Sequence, residues 1–225
     1  EAGGRDGTYV DCTFGRGGHT RALLERLSPK GRVFAFDVDP ASVAEARRLA
    51  ALDPRLSVLH RPFGDLAAAL PSDAGPVVGV VADLGVSSPQ LDQRHRGFSL
   101  MEDAPLDLRM NPKVGVPASE WLQSVSAEEL AWVIHEYGED ADSFMAARIA
   151  EAVVARVRHG PPLKRTRQLA ELVGAVKAGA GAALSPFEQP ARLTFQAIRT
   201  HLNREYKQLD ALLGAVAERI AIGGG

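Results

Sequence analysis

The sequence predicts an α/β fold: a doubly wound, Rossmann-like parallel sheet with an inserted all-helical subdomain. Three observations predict it. Up to about Gly85, short and almost wholly apolar runs alternate with helix-like stretches, as expected when both faces of a parallel sheet are covered. A glycine-rich turn joins the first apolar run to the first helical stretch. Beyond Gly85 the strand pattern stops and only helical periodicity remains.

Thr8-Tyr9-Val10-Asp11-Cys12 reads as the first strand, followed by the turn and a helix over Thr20–Leu27. Arg32 to Asp37 is the second strand. Asp39 then caps a helix that has Pro40 at its first position and runs to about Leu52. Leu56 to His60 and Val77 to Leu84 are the third and fourth strands. A polar loop spans Val86 to about Gly115. Helices are expected over Ser119–Gln123, Ala127–Tyr137, Asp142–Arg158 and Thr166–Ala178, and Ser126-Ala127-Glu128-Glu129 has a capping-box pattern. Ala178 to Ala183 is low in complexity and reads as a flexible loop. Pro190 opens a single long helix to about Ile220, with Phe195, Ile198, Leu202, Leu209, Leu212 and Leu213 on its apolar stripe. The expected division is residues 1–104, 105–189 for the helical insertion, and 190–225 for the helix that returns to the sheet.

The chain has 225 residues, enough for a sizeable core in one domain or a domain with an insertion. With 26 Lys and Arg against 28 Asp and Glu, it is neither a basic nucleic-acid coat nor an acidic tail. Charge is uneven, however. Glu151 to Lys207 holds ten basic and four acidic residues, a net +6 on a chain whose total is −2. Such asymmetry marks a part that faces a polyanion, or simply solvated helix faces. Cys12 is the sole cysteine, so no internal disulfide forms. No apolar run approaches the ~18–20 residues that span a bilayer, and the first residues carry no apolar signal region. A cytoplasmic protein with no membrane partner is expected. The oligomeric state stays open, a homodimer being compatible with the sequence.

Asp11 to His19 forms the turn. Glycines there let main chain touch a ligand and take positive φ, and the helix start beyond offers free N–H groups. Asp37 ends the second strand 19 residues after Gly18, where an acid accepts hydrogen bonds from both hydroxyls of a ribose. A dinucleotide fingerprint wants Gly or Ala where Thr20 stands. Asp11 at the mouth of the turn would repel a pyrophosphate and welcome an ammonium. Adenosine at one end and an amino acid at the other describe S-adenosylmethionine, so a methyl-donor site is expected over a nicotinamide site.

The fourth strand leaves the sheet at the same edge through Asp83-Leu84-Gly85-Val86-Ser87-Ser88-Pro89-Gln90. An exocyclic amine conjugated to a base is a poor nucleophile. Acceptors that draw its protons out of the ring plane free the lone pair for the methyl group. Asp83, the Ser88 hydroxyl and carbonyls near Ser87 to Pro89 can supply these. Neither a metal nor a covalent intermediate is required. Methylation at carbon 5 of cytosine would need a thiol here, and the only thiol is Cys12 on the first strand.

Five blocks in order, Thr13–Thr20, Asp83–Asp92, Arg96–Ser99, Pro105–Met110 and Arg192–Arg199, closely resemble the bacterial small-subunit ribosomal RNA (cytosine-N4-)methyltransferase family over nearly the whole chain. The resemblance implies a class I methyltransferase sheet, S-adenosylmethionine as donor, and a helical insertion that helps bind substrate. The acceptor it implies is the N4 amine of a cytidine in the decoding region of 16S rRNA, within the small ribosomal subunit. It places donor contacts on Gly17, Gly18, His19 and Asp37, adenine packing on Phe63, and Asp83 and Gln90 at the methyl-transfer end. It makes Gln93 to Met110 an active-site loop, in which Arg94, Arg96 and Arg109 read either as phosphate contacts or as solvated loop arginines. Lys164, Arg165 and Arg167 are the expected RNA clamp in the insertion. The family's upstream His segment and its downstream Gly-Gly strand and Ser-Phe-His-Ser segment are absent here, so this chain is expected to be a fragment of something longer and to bind donor weakly. The alternatives are a small-molecule methyltransferase and a non-catalytic RNA-binding relative of the same fold.

Overall fold

The computed structural model describes residues 4–138, 143–181 and 189–220. Asp142, Ala182, Ala183 and the final three glycines lie outside the described residues. The chain divides into two compact units, Glu1–Pro89 with Glu205–Gly225, and Gln90–Arg204. The borders therefore fall after residues 89 and 204, against the 104 and 189 expected from sequence. Phe98 and Leu100 on one side, and Phe195 and Ile198 on the other, pack into the core of the helical unit, which is why those flanking segments belong with it.

The α/β unit contains β1 (Thr8–Asp11), α1 (Gly18–Arg26), β2 (Arg32–Phe36), α2 (Pro40–Ala50), β3 (Leu56–Leu59), α3 (Leu66–Ala69) and β4 (Val77–Val81). The strands are all parallel in the order β3-β2-β1-β4. The order reverses direction between β1 and β4, which places a topological switch point beside the glycine-rich turn. Side chains alternate across the sheet. Val10, Cys12, Phe34 and Phe36 join one apolar cluster, and Val33 and Ala35 join another with Phe14, Leu24 and Ala46. Both faces are thus buried, as the nearly continuous apolar strands require. The cap on α2 is as expected: the Ala41 N–H donates to Asp39 Oδ1 at 2.9 Å, with Pro40 at the helix start.

A short α4 (Ser88–Asp92) runs across the border in the chain, and the helical unit then comprises α5 (Ala118–Ser124), α6 (Ala127–Tyr137), α7 (Ser143–His159), α8 (Thr166–Gly179) and α9 (Arg192–Leu202). Leu122, Leu130, Ile134, Ile149, Leu169 and Ile198 are almost wholly buried in its core. Ser126 caps α6, its hydroxyl accepting from the Glu129 N–H at 3.1 Å.

Two expectations are corrected. The stretch from Val86 to Gly115 is not wholly loop, since it contains α4 and a 3₁₀ turn over Arg94–Arg96; elements this short have no room to show a period. The single helix from Pro190 to Ile220 is two, α9 and α10 (Glu205–Arg219), broken where Arg204 takes a φ of 54°. The apparent stripe serves two cores: Phe195 and Ile198 pack in the helical unit, Leu212 and Ala215 against the sheet. After α10, Ile220 makes a single parallel bridge to Val77 of β4.

Candidate functional site

The turn after β1 is held from both sides by the strands that flank it. The Cys12 N–H donates to the Val81 carbonyl at 2.8 Å and the Phe14 N–H to the Phe36 carbonyl at 3.0 Å, so the ladders to β4 and β2 continue past the end of β1. Side chains then complete the clamp. Thr13 Oγ1 accepts from the Asp83 N–H at 2.8 Å, and Asp37 Oδ2 accepts from the Gly15 N–H at 2.9 Å. These bonds bring three predicted site elements together at the carboxyl edge: the turn, Asp37 after β2 and Asp83 after β4.

Gly17 takes a φ of 80°, and a Cβ there would stand 2.6 Å from the Phe14 ring. Phe14 is itself buried, at 2% exposed. Glycine is therefore required by conformation and by space together. Gly17 is the N-cap of α1 and supplies no side-chain cap, so the first-turn N–H groups keep their capacity for a ligand. A Cβ on Gly18 would meet nothing within 4 Å, and both Gly18 and His19 are exposed. Of the cradle expected over Gly17–His19, Gly18 and His19 are open to solvent, whereas Gly17 is buried and its N–H donates to the Phe14 carbonyl at 2.6 Å.

Asp11 does not face a ligand as its place in the sequence suggested. Its carboxylate is fully buried, accepting from the Thr20 hydroxyl at 2.6 Å and the Thr13 N–H at 3.1 Å. It ties the start of α1 to the end of β1 from beneath the turn, and Thr20 is there to donate to it. Cys12 beside it is buried, and burial together with the Asp11 charge pushes its thiol up to about 12. A thiol so protonated is no nucleophile at neutral pH.

Asp37 has two tasks where the sequence suggested one. Besides Gly15, it accepts from the Asp39 N–H at 2.8 Å, and the Ser42 side chain also bonds to it. A carboxylate offers about four acceptor sites, so capacity remains for an incoming hydroxyl. Burial holds its pKa above the usual carboxylate value, with the two main-chain donors opposing that shift.

Phe63 opens a 3₁₀ turn after β3 and is half-buried against the apolar cluster of Val10, Phe34 and Phe36. Sequence reasoning missed the group that fixes this turn, Gln208 of α10, whose Oε1 accepts from the Gly64 N–H at 3.0 Å. No local pattern could reveal a bond across 144 positions. Asp83 and Ser88 are exposed in the α/β unit, whereas Gln90 begins the helical unit and is only 5% exposed.

Two of the three loop arginines are corrected. Arg96 is buried and donates through Nη2 to the carbonyls of Arg109 and Met110, at 3.1 and 2.7 Å. Arg109 is gripped bidentately by Asp107 at 2.7 and 2.8 Å, and Arg94 is ion-paired with Glu102. Arg96 and Arg109 hold the loop together, as a buried Arg does once it finds planar acceptors, whereas the Arg94 side chain stays 77% exposed. Of the expected clamp, Lys164 and Arg167 are exposed, while Arg165 is paired with Asp103 at 2.9 Å.

Among the described residues no helix is long and apolar enough to cross a membrane. Residues 2–225 match the MraW methylase family. The chain is similar to proteins named "Ribosomal RNA small subunit methyltransferase H". It is 47% identical over 215 residues to that of Idiomarina loihiensis, covering 93% of this chain and 64% of the relative. It is 48% identical over 209 residues to that of Verminephrobacter eiseniae, covering 93% and 59%. The chain thus spans about three fifths of the length of these curated relatives. A solved rRNA methylase from Streptococcus thermophilus is 22% identical over 45% of this chain and 60% of its own, with a TM-score of 0.30. The fold rests on the chain's own strand order.

Proposed function

From the premise that this chain belongs to the MraW methylase family, we propose that it transfers a methyl group from S-adenosylmethionine to the exocyclic N4 amine of a cytidine in the decoding region of 16S rRNA. The substrate would be met within the small ribosomal subunit, in the cytoplasm, with no membrane partner and with a homodimer left open. The observation that carries the reading is the single edge at which an uncapped helix start, a ribose-type carboxylate and an exposed acceptor carboxylate are tied together by the Gly15–Asp37 and Thr13–Asp83 bonds.

The residues present fit the donor. A Cβ on Gly18 would find open space, and Asp37 retains acceptor capacity. Gly17, Gly18 and His19 would receive the amino-acid end, Asp37 the ribose, and Phe63 the adenine, with Gln90 also assigned to the donor. When bound, the donor supplies an electrophilic methyl group on a sulfonium. Asp83 and the Ser88 hydroxyl accept hydrogen bonds from the target amine and free its lone pair. Thr13 holds the main chain of Asp83 in place for this. Displacement then needs alignment above all. The test is mass mapping of methylated nucleosides in small-subunit RNA from cells with and without the gene. N4-methylcytidine lost with the gene supports the reading, and its persistence removes it.

The ribose assignment carries its own pH dependence. A ribose hydroxyl donating to Asp37 calls for its ionised form, so donor affinity should fall as pH drops through its raised pKa, by up to ~tenfold per pH unit below it. The sign for stability is opposite. Between the ordinary 3.8 and the raised value the folded chain holds a proton that the unfolded chain lacks, so acidification through that window stabilises the fold at this group. Calorimetric donor titrations from pH 7.5 downward would check this, with Asp37→Asn expected to bind weakly and without the slope. Equal pH slopes in both proteins would remove the assignment.

A further inference from the structure

The segment Leu108–Pro117 carries Arg109 and Lys113 and no carboxylate. Its tip, residues 112–116, is exposed throughout, and Val114 and Val116 stand 63% and 47% exposed. Exposed β-branched apolar side chains contribute nothing to the core. Here they sit on a loop whose base is fixed by part-buried bonds. Asn203, just after α9, donates through Nδ2 to the Leu108 carbonyl at 2.8 Å and accepts through Oδ1 from the Met110 N–H at 2.7 Å. Arg96 holds the next two carbonyls. Arg109 reaches across the loop to the Gly115 carbonyl at 2.9 Å. Within this clamp Leu108 is held at a φ of 64°, a left-handed conformation that a leucine adopts only under constraint. A rigid stem with an apolar tip and a lysine beside it suits a group that enters between stacked bases while its cation meets phosphate.

We infer that the loop Asn111–Pro117 is a wedge that unstacks bases of the RNA substrate, with Val114 and Val116 as the inserting groups and Asn203 as the positioning residue that keeps the wedge rigid. The inference rests on the reading of an RNA acceptor given above, because a base must leave its stack before its exocyclic amine can be reached. Within the wedge, Lys113 lies between the stem and the inserting valines and meets the anionic backbone. The preorganised stem means that little ordering cost is met on binding.

The experiment uses the full-length protein and a folded fragment of the small-subunit decoding region with 2-aminopurine beside the acceptor cytidine, whose fluorescence rises on unstacking. The wild-type protein is expected to raise the fluorescence. A Val114→Ser/Val116→Ser double variant, altered only at exposed positions, is expected to bind the fragment but leave the fluorescence low. Its transfer should fall by roughly ten- to a hundredfold, the scale of unstacking a base step. Asn203→Asp keeps the acceptor for Met110 but sets a charge against the Leu108 carbonyl, and should lose the fluorescence rise with both valines intact. Fluorescence that rises equally with the double variant, or transfer by the wild type without any rise, overturns the wedge and leaves the functional reading standing. A wild-type protein that neither binds the fragment nor transfers methyl to it sinks the functional reading itself, and the wedge with it.

Discussion

Asp83→Ala should reduce methyl transfer by about 10²–10³, the cost of removing one hydrogen-bond partner from a reacting centre, while RNA affinity stays close to that of the wild type. The carboxylate is exposed at the carboxyl edge of the sheet, and its main chain is fixed by the bond from its N–H to Thr13 Oγ1. The main-chain anchor survives the substitution, and no buried side chain is lost. What disappears is the acceptor proposed to free the amine lone pair. Single-turnover transfer measured beside filter-binding affinity separates the two effects. Transfer that survives within a few-fold would remove Asp83 from the chemistry. Loss of RNA binding in step with transfer would mean that it acts through folding of the edge.

Gly17→Ala should weaken both the fold and the donor site. A left-handed φ costs a side chain ~1 kcal/mol. Crowding the Phe14 ring, 2.6 Å from the new Cβ, adds ~1–3 kcal/mol as Phe14 is driven into its packed cluster. The sum, ~2–4 kcal/mol, corresponds to a fall in Tm of roughly 5–15 °C for a chain of this size. Donor affinity should fall more steeply than stability, because the same displacement tilts the start of α1 away from the turn. Gly18→Ala is the control. Its Cβ meets no protein atom within 4 Å, so the fold should be untouched and only ligand contact affected. A Gly17→Ala protein with wild-type melting and donor binding would show that the turn tolerates a Cβ, and the cradle would need another basis.

Much of the site could be read from local pattern. Asp39 and Pro40 announce the start of α2 because a cap acts within three residues of itself. The strands announce themselves because both faces of the sheet are covered. The spacing from Gly18 to Asp37 is set by one helix and one strand, so counting along the chain finds it. Asp11 shows where this reasoning stops. Its position at the mouth of the turn says nothing about which way its carboxylate points, and Thr20 decides that. Arg96 and Arg109 show the same limit: a loop arginine and a buried strut are written with the same letter. The break at Arg204 was hidden because the apolar positions on either side of it share one helical phase while packing against different cores.

The sequence by itself determined the α/β class, the glycine-rich turn with Asp37 and Asp83 as its partners, and a family membership to which short ordered blocks are sufficient clues. Tertiary structure alone decided that Asp37 also pins Gly15, that Gln208 fixes the turn bearing Phe63, and that Asn203 and Arg96 hold a rigid loop with an exposed tip. The reason is physical. Propensity, caps and turns act over a few residues. A buried polar group must instead be satisfied by whatever donor or acceptor the fold brings beside it, at any separation along the chain.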